Sequence, residues 1–110
     1  MDSAIISVDK LESALEFLAL SDHDYANEKA ELERAAIRCK RCRARAFLMA
    51  DGGNVETRKA QAEVNLEVQA ADDDYCKSVA LFEHLKAKRE RAEIVVRVWQ
   101  SLESTRRTKL

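Results

Sequence analysis

The feature that most constrains this chain is a single break near its middle, at Asp51-Gly52-Gly53-Asn54. The 110 residues contain no proline, and the only two glycines are adjacent in that break. Glycine and proline are the strongest interruptions of regular secondary structure. On both sides of the break, apolar and small residues recur at spacings of three and four, as in helices that pack along a common seam. The predicted seam includes Ala14, Ser21 and Ala35 in the first helix and Val68, Tyr75 and Phe82 in the second. The sequence therefore predicts an all-α fold, a long antiparallel helical hairpin of the coiled-coil type.

At 110 residues the hairpin is predicted to be one domain, residues 1–110. The first helix is predicted over residues 9–50, the tip over 51–64 with a short helical piece in it, and the second helix over 65–106. Ser7 or Asp9 is expected to cap the first helix and Asn65 the second. A side-chain oxygen at such a position accepts a hydrogen bond from an otherwise unpaired backbone N–H.

The charges provide a test of the antiparallel arrangement, although the net charge of -1 predicts no polyanionic partner. When the two helices are paired antiparallel, the acidic residues between Asp22 and Glu33 lie beside the basic residues 86–91. The basic residues 38–45 then lie beside Asp72–Asp74, and Cys76 lies opposite Cys39. Exposed ion pairs contribute only about 0.2–1 kcal/mol each, so we expect these charges to select the register more than to stabilise the fold.

An apolar surplus distinguishes the end of the hairpin that is remote from the tip. The segment from Ile94 to Trp99 is apolar apart from Arg97, which places apolar side chains on several faces of one helix. A helix that is apolar all round is normally buried, and a second helix cannot cover it alone. We therefore predict assembly into an oligomeric bundle or ring, or binding of a partner, through a terminal apolar face. This face consists of Leu15, Leu18, Ile94, Val95, Val98, Trp99 and Leu102.

Four arginines at spacings of four, three and four form one narrow line on the first helix, the arginine stripe: Arg34, Arg38, Arg41 and Arg45. Lys40 and Arg43 widen it, and Arg58 and Lys59 add charge across the tip. Arginine forks pair with phosphate oxygens, so these eight residues are the predicted nucleic-acid contacts. The alternatives are a salt-bridged flank that faces Asp72–Asp74, or a bridge between subunits. Few aromatic residues lie nearby, which argues against base stacking.

The cysteines form a CxxC at Cys39-Lys40-Arg41-Cys42, with Cys76 elsewhere. Structural zinc sites usually have four Cys or His ligands, whereas His23 and His84 are far from the CxxC along the chain. We interpret these cysteines as packing residues, with a disulfide or a metal site as the alternatives. An odd number of cysteines favours a reduced cytoplasmic protein.

Motifs of known enzymes and of targeting segments are not found in the sequence. There is no P-loop, no GxSxG and no HExxH, so we predict no enzyme, no catalytic residue, no metal and no cofactor. The N-terminus lacks the basic and apolar regions of a signal peptide. No apolar run approaches the roughly 18 residues of a transmembrane helix, so no membrane association is expected.

Two stretches carry a resemblance to a known class, Arg43-Ala44-Arg45-Ala46-Phe47-Leu48-Met49-Ala50-Asp51-Gly52-Gly53 and Leu85-Lys86-Ala87-Lys88-Arg89-Glu90-Arg91-Ala92-Glu93. Their layout is a basic helix, a glycine break, a short charged tip and a second helix that ends in an apolar run. It resembles that of the helical recombination mediators encoded by phages, over residues 25–104. The resemblance implies ring assembly, binding of single-stranded DNA by the basic residues near the tip, and loading of a recombinase.

Two hypotheses of function follow. The first is a non-enzymatic, oligomeric accessory protein of phage DNA metabolism in the host cytoplasm, which binds single-stranded DNA, a replication or recombination partner, or both. The alternative is a protein–protein adaptor or inhibitor with no affinity for nucleic acid. They differ in whether the arginine stripe is neutralised by Asp72–Asp74 or lies in solvent.

Overall fold

The computed structural model describes residues 6–109, apart from the side chain of Lys109. This part of the chain consists of three helices and no strand: α1 (Val8–Met49), α2 (Val55–Glu63) and α3 (Leu66–Lys109). The long helices α1 and α3 pack as a hairpin, which confirms the predicted all-α hairpin fold. The predicted bounds of 9–50 and 65–106 differ from the observed ones by at most three residues.

Each helix begins at a side chain that accepts a backbone hydrogen bond. Ser7 Oγ accepts from the N–H of Lys10 at 3.1 Å, so Ser7 rather than Asp9 caps α1. Asn54 Oδ1 accepts from the N–H of Thr57 at 2.8 Å at the start of α2. Asn65 Oδ1 accepts from the N–H groups of Glu67 and Val68, as predicted for α3. These bonds satisfy donors that the helices leave unpaired.

The tip is closed by side chains of α2 that reach back to the end of α1. Arg58 donates from Nε and Nη2 to the carbonyl oxygen of Ala50, at 3.3 and 3.2 Å. Gln61 accepts from the N–H of Gly52 and donates to Asp51 Oδ1, both at 3.2 Å. Neither glycine has a positive φ. Gly52 is needed for close approach, because an added Cβ would lie 2.7 Å from Thr57 Cγ2.

The chain divides into two compact units, each of which has a small core. Among the described residues, the first unit is formed by residues 6–26 and 84–109, and the second by Asn27–Glu83. Because the cores consist largely of small side chains, the helices can approach closely. Buried residues of the first unit are Ile6, Ala14, Ser21 and Ala92. Buried residues of the second unit are Ala35, Ala62, Val68, Ser78 and Phe82.

Most residues predicted at the seam between the helices are buried or half-buried in the structure. Ala14 and Ser21 in the first unit, and Ala35, Val68 and Phe82 in the second, are seam positions that are buried. Tyr75 was also predicted at the seam but is 37% exposed, while Ser78 one turn later is buried. In the described part of the chain, no helix has the length and apolar character that crossing a membrane requires.

Candidate nucleic-acid interface

The arginine stripe lies on a flank of α1 within the second unit. Each residue of an α-helix turns the chain by about 100°, so the four arginines lie within about 60° of one another. The buried position Ala35 lies about a quarter turn away from them. All four side chains are exposed, with Arg34 at 61%, Arg38 at 49% and Arg45 at 61%. The stripe is therefore a continuous basic line that solvent reaches.

Its carboxylate partners are few and themselves exposed. Glu31, on the same helix, accepts from Arg38 Nη2 at 2.8 Å and from Arg34 Nε at 3.1 Å. The hydrogen bonds from Arg38 and then Arg34 lower the pKa of the Glu31 carboxyl, which keeps it charged at neutral pH. Arg45 Nη1 lies 3.9 Å from Glu67 Oε2. Exposed pairs of this kind are worth at most about 1 kcal/mol, so they leave the arginines able to exchange partners.

The aspartates that were expected to neutralise the stripe do not pair with it. Asp72 binds Arg43, with 2.9 Å between Oδ2 and Nη2. Over residues 6–109, neither Asp73 nor Asp74 lies within ion-pair distance of a basic side chain, and Arg41 has no carboxylate partner. Asp74 acts on Arg38 only as a minor contribution to the raised pKa of that guanidinium. The stripe thus lies in solvent and is not a flank bridged to Asp72–Asp74.

The remaining predicted contacts do not widen the stripe. Arg43 also binds Glu63 of α2, with 2.8 Å between Nε and Oε1, and the hydrogen bonds that it donates to Glu63 and then to Asp72 raise the pKa of its guanidinium. Lys40 and Arg43 line a cavity on a different face of α1 from the stripe, together with Lys59 of α2. Arg58 is held by the carbonyl of Ala50. The eight residues therefore form two separate groups.

The aromatic rings near these charges are covered by arginines. The Arg58 guanidinium carbon lies 5.6 Å from the centroid of the Phe47 ring in the second unit. In the first unit, that of Arg89 lies 4.9 Å from the centroid of the Tyr25 ring. Both are cation–π contacts. Neither ring has that face available to stack on a base.

The terminal apolar face lies in the first unit and is only partly covered. Leu15, Ile94 and Leu102 are exposed, whereas Leu18, Val95, Val98 and Trp99 are half-buried. Ile94, Val98 and Leu102 line a shallow cavity of about 380 Å³ with Arg97 and Ser101. Packing of α1 on α3 therefore leaves an apolar surface uncovered where the sequence predicts it.

The cysteines of the second unit differ in their surroundings. Cys39 and Cys42 are half-buried free thiols and Cys76 is exposed. Cys39 Sγ donates to the carbonyl oxygen of Ala71 at 3.1 Å, so the residue opposite Cys39 is Ala71 and the expected Cys76 is displaced from it. Burial and then the nearby Asp72 raise the pKa of the Cys39 thiol, which favours its protonated form. Within residues 6–109 no three His, Cys, Asp or Glu side chains are arranged to hold a metal ion.

The described part of the chain is thus an antiparallel helical hairpin, with the arginine stripe in its second unit and the terminal apolar face in its first unit. Comparison of the chain with protein-family models, with curated protein sequences and with solved structures gives no match. The resemblance to phage recombination mediators therefore stays a prediction from the sequence.

Proposed function

We propose that this chain is a non-catalytic, oligomeric accessory protein of phage DNA metabolism that binds single-stranded DNA in the host cytoplasm. The observation that carries the proposal is the exposure of the arginine stripe. Its four guanidinium groups follow one helix flank, and within residues 6–109 their ion-pair partners are two exposed carboxylates, Glu31 and Glu67. Phosphates compete readily with partners of that kind, because bidentate arginine–phosphate pairs are strong and specific in geometry.

Such binding is expected to be weak for one copy and independent of sequence. Four arginines reach few phosphates, and Phe47, an aromatic residue of the same unit, has one ring face covered by Arg58. Repetition of the stripe in an oligomer would raise the effective concentration of binding sites along one strand. The proposed function therefore requires self-association through the terminal apolar face, for which its exposed Leu15, Ile94 and Leu102 are the support.

Binding to DNA is tested by replacing Arg38, Arg41 and Arg45 with alanine. Each neutralised phosphate of a single strand releases a counterion, so the slope of log affinity against log salt is expected to flatten by about 2 when three contacts are lost. Fluorescence anisotropy with a labelled oligonucleotide at several salt concentrations measures both the affinity and the slope. The matched control removes the same charge elsewhere, with Lys88→Ala, Arg91→Ala and Arg107→Ala, and is expected to keep the slope of the wild type.

Two results of that experiment would contradict the proposal. One is an equal loss of affinity in the control variant, since the affinity for DNA would then depend on the net charge of the protein and not on the arginine stripe. The other is a wild-type protein that shows no binding at micromolar concentration in about 50 mM salt, where phosphate contacts are strongest. In that case the adaptor or inhibitor without nucleic-acid affinity becomes the better description of this chain.

Self-association is tested by placing a charge in the terminal apolar face. The Trp99→Glu variant is expected to have a lower oligomeric mass than the wild type, because burying a large apolar side chain is worth roughly 1.5–3 kcal/mol and a buried unpaired charge is costly. Light scattering and sedimentation report the mass, and circular dichroism checks that the helices persist. Gln100→Glu, one residue away and exposed, is the control. A wild-type protein that is monomeric at micromolar concentration would refute this part.

A further inference from the structure

A second surface of the second unit is separate from the arginine stripe. Helices α1 and α2 enclose a groove with a volume of about 800 Å³, which we call the tip groove. Its lining is mostly apolar, and two lysines and one ion pair are placed around it. The lining residues are Cys39, Lys40, Arg43, Ala44, Phe47 and Leu48 from α1, and Lys59, Ala62 and Glu63 from α2.

The walls of the tip groove are fixed to one another before any partner binds. Arg43 of α1 pairs with Glu63 of α2, with 2.8 Å between Nε and Oε1. At the other end Arg58 donates two hydrogen bonds to the carbonyl of Ala50 and lies over the Phe47 ring. Ala62 is buried between these contacts. A groove held in this way binds with little ordering cost.

The charges available at the groove are positive. Arg43 is shared between the carboxylates of Glu63 and Asp72, so these three groups are paired with one another. Lys40 has no ion pair in the described part of the chain. Lys59 Nζ lies 3.9 Å from Glu56 Oε1, and both side chains are more than half exposed, so that this contact is weak. The ammonium groups of Lys40 and Lys59 thus flank the apolar lining of the tip groove.

The geometry points to an acidic peptide segment of a partner protein, with one or two large apolar side chains, as the occupant of the tip groove. Leu48 is 74% exposed and offers apolar area to such a side chain. The α1 wall from Cys39 to Leu48 rises about 13 Å, which is two to three helical turns and suits a short segment. An acidic segment with apolar side chains uses both the lysines and the apolar lining, whereas a neutral apolar ligand would leave the lysines unused.

This inference does not depend on binding of DNA by the stripe, and one pair of assays separates the two. The probe is a short fluorescent peptide in which aspartates alternate with leucine and phenylalanine. Two further peptides replace either the acidic residues with lysine or the apolar residues with serine. Fluorescence anisotropy with the full-length protein measures binding of each peptide, and the labelled oligonucleotide is titrated in parallel.

The variants pair each groove residue with an equivalent residue outside the groove. Lys40→Glu with Lys59→Glu is expected to weaken binding of the acidic peptide by at least about tenfold, whereas Lys29→Glu with Lys77→Glu, an equal change of charge in the same unit, leaves it unchanged. Leu48→Ser is expected to weaken it by about fivefold. Leu81→Ser is its control, since Leu81 is exposed in the same unit and does not line the groove.

The results that overturn the proposal are distinct from those that overturn DNA binding. It fails if the acidic peptide does not bind, if the serine peptide binds as well as the apolar one, or if Leu48→Ser has no effect. It also fails if Lys40→Glu with Lys59→Glu lowers the affinity for the oligonucleotide and the oligonucleotide displaces the peptide, since the groove is then part of the DNA surface. Loss of oligonucleotide binding in the stripe variant, with peptide binding retained, supports both assignments.

Discussion

Replacement of Phe82 by alanine is expected to reduce the free energy of unfolding by about 3–5 kcal/mol, the range found for removal of a buried aromatic side chain. Phe82 is only 8% exposed, and the other residues buried in its unit are smaller: two alanines, a valine and a serine. Loss of its ring removes the bulkiest part of that small core, and small neighbours cannot move in to fill the space. Urea denaturation followed by circular dichroism at 222 nm measures the effect.

The adjacent residue Leu81 provides the control, because it is 58% exposed on the same helix. Leu81→Ala is expected to change the free energy of unfolding by no more than about 0.5 kcal/mol. If Phe82→Ala is too unstable to purify, Phe82→Leu keeps most of the apolar volume and still gives a measurable loss. If the Phe82 and Leu81 variants were equally stable, Phe82 would not be part of the core of the second unit.

Replacement of Arg89 by alanine is expected to cost about 2–3 kcal/mol, because hydrogen bonds to charged groups are individually worth about 1.5–3 kcal/mol. This side chain is 14% exposed. It donates to Ser21 Oγ and Asp22 Oδ1, both at 2.6 Å, and to the carbonyl of Leu18 at 3.0 Å. Its guanidinium also lies over the Tyr25 ring. One arginine thus fixes α1 to α3 in the first unit.

The matched control for Arg89 is Arg91, which is exposed on the same helix. Arg91→Ala removes the same charge and is expected to alter the free energy of unfolding by at most about 0.5 kcal/mol. Arg89→Lys keeps the charge but cannot form the planar fork of donors, so an intermediate loss is expected in thermal or urea unfolding. A loss confined to low salt, and shared by Arg91→Ala, would assign the effect to net charge and not to these contacts.

Much of this fold could be predicted because its determinants are local. The two adjacent glycines mark the break after α1, and the absence of proline leaves the long helices uninterrupted. Ser7, Asn54 and Asn65 cap the three helices through hydrogen bonds that span a few residues. The antiparallel charge blocks also indicate two observed contacts between α1 and α3, Asp22 with Arg89 and Arg43 with Asp72.

The candidate sites were less predictable because side chains on long helices have several partners within reach. Glu31 was expected to face α3 but binds Arg34 and Arg38 of its own helix, since residues three, four or seven apart lie on one side. Arg43 was assigned to the stripe because the sequence does not show where α2 packs. The ion pair with Glu63 and the tip groove both depend on that packing.

The two adjacent glycines differ in a way that matters for modifying this protein. A Cβ added at Gly52 would collide with Thr57, whereas one added at Gly53 would have no atom within 4 Å. A small side chain, such as a cysteine for a fluorophore or a crosslinker, could therefore be introduced at position 53, whereas position 52 has to stay glycine. One residue of the turn is thus fixed by close packing, and its neighbour offers an attachment point for a probe next to the hydrogen bonds that close the tip.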